Sequence, residues 1–129
     1  MVALIDRDVG RVMQKLKDLG LDDKTLVIFS SDNGANEVFI EPLGSTGGLR
    51  GYKRILYEGG MRAPFIARWP GKIKAGVESD LLTSFVDFLP TAADLAGAAT
   101  PTGLDGQSIL PTLISQSQAT QHESLYFEI

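Results

Sequence analysis

Apolar residues in the first twenty positions follow the period of a helix. Ile5, Val9, Val12, Leu16 and Leu19 recur at spacings of four and three, which aligns them on one helical face. Leu4 and Met13 widen that face, and Asp6, Arg7, Arg11, Lys15 and Lys17 lie around the rest, the pattern of a helix packed on a sheet. Gly20 reads as the C-terminal stop. Gly10 weakens the middle by about 1 kcal/mol relative to alanine, so close packing is expected there.

The period then changes. After the turn Leu21-Asp22-Asp23-Lys24, the run Thr25-Leu26-Val27-Ile28-Phe29 is unbroken and rich in β-branched residues, and it stops on Ser30-Ser31-Asp32-Asn33-Gly34. Such a run predicts a strand buried on both faces, as in a parallel sheet. Helix, short loop and buried strand make half of a βαβ unit. Gly34 is expected to turn the chain at positive φ. Asp32 and Asn33 would then stand at the carboxyl end of a strand, where open α/β sheets place their ligands. Two readings are open here. A carboxylate beside an amide oxygen suits a hard cation such as Ca2+ or Mg2+, and an Asn-Gly turn with a solvated aspartate suits a plain loop.

From Ala35 to Gly51 no period is visible, and Gly44, Gly47, Gly48 and Gly51 cluster there. The glycines fit either a flexible surface loop or a backbone that approaches a ligand. No G-x-x-x-x-G-K-[ST] phosphate loop is present. Between Leu49 and Pro64 stand four cations (Arg50, Lys53, Arg54, Arg62), two tyrosines (Tyr52, Tyr57) and the glycines Gly51, Gly59 and Gly60. A charge run is ordinarily a solvated face; the interleaved glycines and aromatics argue for a shaped surface that meets an anion. Pro64 to Trp69 reads as a short strand closed by Pro70-Gly71. Lys72 to Ser79 reads as a surface connection. Phe85, Phe88, Leu89, Ala92 and Leu95 share one face of a second helix, which Pro90 at its first position would place at Leu89 to Ala96. Ser108 to Ser115 suits a helical turn or two, and Ser124 to Ile129 alternates like a strand.

Composition narrows the function. The 129 residues suit one domain, which at this size buries roughly two-thirds of its unfolded surface. A net charge of −4 gives no reason to expect nucleic acid,. With no cysteine, neither a disulfide framework nor a thiolate metal site is available,. No apolar run approaches the roughly 18 residues of a membrane span, and no signal peptide precedes the first helical pattern. The chain is therefore expected to begin inside an element.

In combination, Ser31-Asp32-Asn33-Gly34 at a strand end, Leu49-Arg50-Gly51-Tyr52-Lys53 followed by Tyr57-Glu58-Gly59-Gly60-Met61-Arg62-Ala63-Pro64, and Trp69-Pro70-Gly71 resemble the sulfatase family. The opening helix and Asp87 to Gly97 are similar in kind and order, so the resemblance covers nearly the whole chain. It implies an α/β fold: part of an alkaline-phosphatase-like three-layer α/β/α domain with a mainly parallel sheet, residues 1–129 being a later part of that catalytic domain. It implies sulfate-ester hydrolysis with Ca2+, or Mg2+, held in part by Asp32 and Asn33. Lys53 would be the catalytic and substrate-binding cation facing the sulfate. Glu58, Gly59, Gly60 and Arg62 would support the loop that aims Lys53. The partner would be a sulfated small molecule or glycan, 6-sulfated N-acetylgalactosamine being one candidate, in a periplasmic, secreted or lysosomal setting.

The departures from the family pattern carry weight too. Its formylglycine arises from a C/S-x-P-x-R stretch, and no serine here stands in that pattern. The nucleophile, the paired aspartates that complete the metal site and the sulfate-contacting histidine are all expected upstream. His122, the only histidine, matches no position of the pattern. The chain alone is expected to be inactive. Two other readings stand beside this one: a phosphoryl or phosphonate hydrolase of the same superfamily, and a non-catalytic module that binds sulfated glycans.

Overall fold

The helical spacing at the start of the chain forms α1 (Val2–Asp18) in the computed structural model, which describes residues 2–128. The N–H of Leu21 donates to Leu16 O at 2.9 Å and that of Gly20 to Lys17 O at 3.0 Å, with Gly20 at φ +66°. This pair of bonds is the Schellman stop, which satisfies carbonyls that the helix end leaves bare. The chain continues through β1 (Val27–Ser30), α2 (Ile40–Leu43), α3 (Glu58–Met61), β2 (Phe65–Arg68), α4 (Phe88–Leu95) and α5 (Leu110–Leu113). Short 3-10 turns lie at Asp22–Lys24, Glu37–Phe39 and Phe85–Asp87. The architecture is mixed α/β, and β1 and β2 are neighbours in a two-stranded sheet.

The strands passing through Val27/Ile28 and Ile66/Ala67 divide the chain into two compact units. One holds the described residues through Val27 with Ala67–Gln121, and the other holds Ile28–Ile66 with the segment from His122 onward.

In the first unit, β2 is clipped to the turn after α1. Arg68 donates from its two terminal nitrogens to both oxygens of Asp22, at 2.7 and 2.9 Å. This fork-to-fork pairing is stronger and more directional than a single contact. The Trp69 indole N–H donates to Asp23 O at 2.9 Å. α1 departs from the expectation of a buried face: Ile5 is 48% exposed and Val12 57%. A 17-residue helix is about 25 Å long, whereas two four-residue strands reach only about 13 Å each. The sheet present is too small to cover it. Gly10 likewise serves no close packing, because a Cβ there would meet nothing within 4 Å.

α4 also corrects the sequence reading. It starts at Phe88, with Pro90 third rather than first, still inside the turn whose N–H groups lack helical partners,. A capping box between Ser84 and Asp87 precedes it. The expected apolar face is open: Phe85, Phe88 and Leu89 are all more than half exposed. The buried residues are Asp87, Pro90 and Thr91. Asp87 accepts from Thr83 Oγ1, the Ser84 N–H and the Gln107 N–H, each at 2.9 Å. Thr91 Oγ1 donates to Asp87 O at 2.6 Å and accepts from the Ile109 N–H at 3.0 Å. The segment Gln107–Ile109 therefore packs on the polar side of α4. Gly106 permits that approach, since a Cβ there would collide with the carbonyl of Val86. Ile109, 6% exposed, joins Pro90 as a buried apolar side chain of this segment.

The expected helical turns near Ser108 to Ser115 are present as α5. The strand expected over 124–129 is absent through residue 128, where the backbone is irregular, and Ile129 lies outside the described residues. β1 is half-buried rather than buried on both faces, with Phe29 39% exposed. A two-stranded sheet leaves each strand with an unpaired edge.

Candidate functional site

The two stretches that sequence singled out, Ser31–Gly34 and Leu49–Arg62, come together within the second unit through main-chain contacts. The Gly34 N–H donates to Gly60 O at 2.9 Å, and the Lys53 N–H donates to Ala35 O at 2.8 Å. The Gly59 N–H donates to Arg50 O at 2.8 Å and closes the loop that carries Lys53. Over the same closure the Arg50 guanidinium sits 3.8 Å from the Tyr57 ring centroid, a cation–π contact worth roughly 0.5–1 kcal/mol at an exposed position.

Glycine is required at these crossings by space. A Cβ on Gly34 would collide with Gly59 O, and one on Gly60 with the carbonyls of Ile55 and Tyr52. One on Gly59 would collide with Gly51 O and lie 2.8 Å from Arg50 O. Gly59 and Gly60 are buried. Gly34 itself does not take positive φ, so the expected left-handed turn is corrected: its glycine serves the close approach of a neighbouring backbone. Positive φ appears instead at Arg54, +78°, directly after Lys53. A residue with a Cβ in that region is uncommon and strained.

The side chains fall into three groups. Asp32 is exposed and Asn33 half-buried. The Asn33 amide donates from Nδ2 to Gly34 O at 3.0 Å, which orients the amide and leaves Oδ1 as its acceptor. Ser31 Oγ lies 3.5 Å from Asp32 Oδ1, at the outer limit of a hydrogen bond. Lys53 is half-buried at the head of its loop, with its peptide held to Ala35. Glu58 and Arg62 face each other across one turn of α3, with Arg62 Nε 3.6 Å from Glu58 Oε2. Both are more than half exposed, so the pair contributes only a few tenths of a kcal/mol, roughly 0.3–0.5. Gly59 and Gly60 are the crowded, buried positions of the Lys53 loop, and Glu58 and Arg62 lie on its exposed side.

The donor set suits part of a hard-cation site. Asp32 and Asn33 offer two oxygen-bearing side chains, and no group of three or more His, Cys, Asp or Glu is assembled among the described residues. His122 is half-buried in the C-terminal segment. A shallow groove lined by Asp8, Arg11, Val12 and Lys15 lies along the open surface of α1 and has none of these residues in it.

Two residues that sequence left without a role belong to this neighbourhood. Asn36 caps the turn Glu37–Phe39, its Oδ1 accepting from the Val38 N–H at 3.3 Å. Glu37 stands at the head of that turn. Its charge, with burial and hydrogen bonding adding, raises the Tyr52 phenol above the usual 10.0. The two positions are fifteen residues apart, and no local pattern announces that influence.

The family model described as Sulfatase matches residues 1–98. Steryl-sulfatase of Rattus norvegicus is 42% identical over 129 residues, covering 95% of this chain and 22% of that protein. Arylsulfatase A of Homo sapiens is 44% identical over 124 residues, covering 95% and 24%. N-acetylgalactosamine-6-sulfatase of Canis lupus familiaris is 40% identical over 127 residues, covering 95% and 24%. Among solved structures, one described as a complex with its substrate D-glucosamine-2-N,6-O-disulfate superposes with a TM-score of 0.80 at 32% identity, over 98% of this chain and 25% of that one. A phosphonate monoester hydrolase from Silicibacter pomeroyi gives 0.73 at 29%, over 92% and 22%. The chain thus spans about a quarter of the length of the proteins it matches.

Proposed function

This chain belongs to the sulfatase family, and from that premise we propose that it supplies the metal-facing and sulfate-facing part of a sulfuric ester hydrolase acting on sulfated small molecules or sugars. The observation that carries the reading is the pair of bonds Gly34 N–H to Gly60 O and Lys53 N–H to Ala35 O. They bring an oxygen-rich strand end and a cationic loop into one piece of structure, although the two are about twenty residues apart.

In this reading Asp32 and Asn33 Oδ1 hold Ca2+, or Mg2+, as two of its oxygen ligands. Ca2+ takes six to eight, at about 2.3–2.6 Å, so further donors come from elsewhere in the parent protein or from water. When bound, such a cation polarises a sulfuryl oxygen and offsets charge near the nucleophile. Lys53 presents an ammonium to the sulfate and stabilises the oxygen that leaves with the alcohol. Its loop is preorganised by the closure at Arg50 and Gly59, so little motion is needed to aim it. The chain contains no cysteine and no serine in a C/S-x-P-x-R context. The formylglycine nucleophile therefore belongs to another part of the parent, and the isolated chain does not turn over sulfate esters. The three-layer α/β/α domain with a mainly parallel sheet is the finer fold proposed for that parent, and residues 1–129 are a later part of it.

The sugar reading is supported by the structural relative described with a glucosamine disulfate. A periplasmic, secreted or lysosomal setting is proposed on the family resemblance. Among the described residues no helix is long and apolar enough to cross a membrane. The likeness to a phosphonate monoester hydrolase favours phosphonate or phosphate ester hydrolysis as the second reading.

The test uses the 129-residue chain and nuclear magnetic resonance. Inorganic sulfate is expected to move the Lys53 side-chain resonances, and Ca2+ those of Asp32 and Asn33, with affinity weaker than about 1 μM because most ligands are missing. Sulfate responses spread over the surface cations with none at Lys53 would sink the assignment. So would a Ca2+ response that survives Asp32→Ala.

A further inference from the structure

The loop from Gly51 to Glu58, which carries Lys53, is fastened twice at its base, once by main chain and once by side chains. The Gly59 N–H donates to Arg50 O at 2.8 Å. Beside that bond the Arg50 guanidinium carbon lies 3.8 Å from the centroid of the Tyr57 ring, well inside the range of a cation on an aromatic face. Among the described residues the ring is the only partner of that guanidinium. Arg7, Arg11, Arg62 and Arg68 each face a carboxylate instead. Space at the base is tight: a Cβ on Gly51, which sits at φ +87°, would lie 2.8 Å from Tyr57 Cβ. The head of the loop is a turn of its own, closed by the Ile55 N–H on Tyr52 O at 3.0 Å. Little slack is left between base and head, so the ring contact is coupled to the Lys53 peptide that the turn contains.

We propose that Arg50 and Tyr57 are positioning residues, whose stacked side chains hold the base of the loop closed and so fix where Lys53 presents its ammonium. The proposal rests on the reading of Lys53 as the sulfate-facing cation. It adds to that reading a pair that acts through Lys53 and not on the sulfate itself. The ring face makes the contact, not the phenol hydroxyl. Phenylalanine at 57 therefore keeps the clamp, and leucine at 57 or alanine at 50 removes it.

Hydrogen exchange of individual amides in the 129-residue chain tests the clamp. Arg50→Ala and Tyr57→Leu should each speed exchange at the Gly59 and Lys53 amides about two- to five-fold, the range that an exposed cation–π contact is worth. The double variant should go no further than the faster single one, because both changes remove the same contact. Tyr57→Phe should match the parent chain. The Gly44 amide, bonded to Ile40 O in the same unit, should stay within about 1.5-fold throughout. Unchanged exchange at Lys53 in Tyr57→Leu overturns the proposal, as do additive effects in the double variant or equal acceleration at Gly44. Should Arg50→Ala fail to fold, Tyr57→Leu against Tyr57→Phe still decides. Inorganic sulfate, followed by nuclear magnetic resonance, supplies the readout that a merely structural pair would not move. Its Kd at Lys53 should rise about two- to five-fold in Tyr57→Leu and keep the parent value in Tyr57→Phe. An unshifted Kd in Tyr57→Leu overturns the positioning role. A parent chain whose Lys53 resonances ignore sulfate overturns the functional reading instead, while the exchange data still judge the clamp.

Discussion

The N–H of Gly34 donates to the carbonyl of Gly60 at 2.9 Å, and a Cβ on Gly34 would overlap the carbonyl of Gly59. The obstacle is backbone on both sides, so no side chain can swing away to make room. Gly34→Ala should lower stability by about 1–3 kcal/mol, as overpacking does. Gly10→Ala, in the open middle of α1, should raise it by about 0.5–1 kcal/mol. Urea unfolding of the two variants checks both signs; equal effects would show that Gly34 is not crowded.

Lys53 and Arg54 are neighbours with opposite demands. In an active sulfatase that carries this chain, Lys53→Ala should cost on the order of 10²–10³ in turnover, as loss of an oxyanion donor does. It should change stability by less than about 0.5 kcal/mol. Arg54, at φ +78°, is constrained by its backbone and not by its charge. Arg54→Ala should be nearly neutral in both respects, and Arg54→Gly should stabilise by up to about 1 kcal/mol. Arg54→Val should destabilise, because a β-branched residue tolerates that conformation poorly. Measured kcat and melting temperature across the four variants give the comparison. Wild-type turnover in Lys53→Ala would end its assignment.

Asp87 joins three donors on Thr83, Ser84 and Gln107 while only 1% exposed. Replacing it with alanine leaves part-buried N–H groups without an acceptor, at a cost of about 1–2 kcal/mol. Asp87→Asn retains one oxygen and should lose less. Thermal unfolding ranks the two, and a neutral Asp87→Ala would show that water reaches this segment.

The Asp22 carboxyl is held below its usual 3.8 first by its hydrogen bonds from Arg68, against an opposing effect of burial, with the charges of Arg68 and Lys17 adding. A lowered acid contributes stability that is fully present above its unfolded value and fades as pH falls through the folded one. The melting temperature of the parent chain should therefore exceed that of Asp22→Asn near neutrality. The gap should close as pH drops below about 3.8. A gap that persists or widens in acid contradicts the pairing.

Local chemistry in the sequence was enough to locate α1 and its Gly20 stop, the strand leading to Asp32-Asn33-Gly34, the short strand before Pro70-Gly71 and the cationic loop around Lys53. Each depends on a period, a cap or a turn residue within one stretch, and those act over a few positions. The family pattern is local in the same sense, being built from Ser31–Gly34 and Leu49–Pro64. Which side of a helix is covered depends on what lands there, and only tertiary structure decided it. The apolar side of α4 is open because Gln107–Ile109 crosses the side that holds Asp87 and Thr91. Gly34 is required by the Gly59 and Gly60 carbonyl groups, not by its own φ. The Lys53–Ala35 and Gly34–Gly60 bonds join residues eighteen and twenty-six positions apart. No periodicity reaches that far, because such pairs form only where the folded backbone brings separate segments within hydrogen-bonding distance.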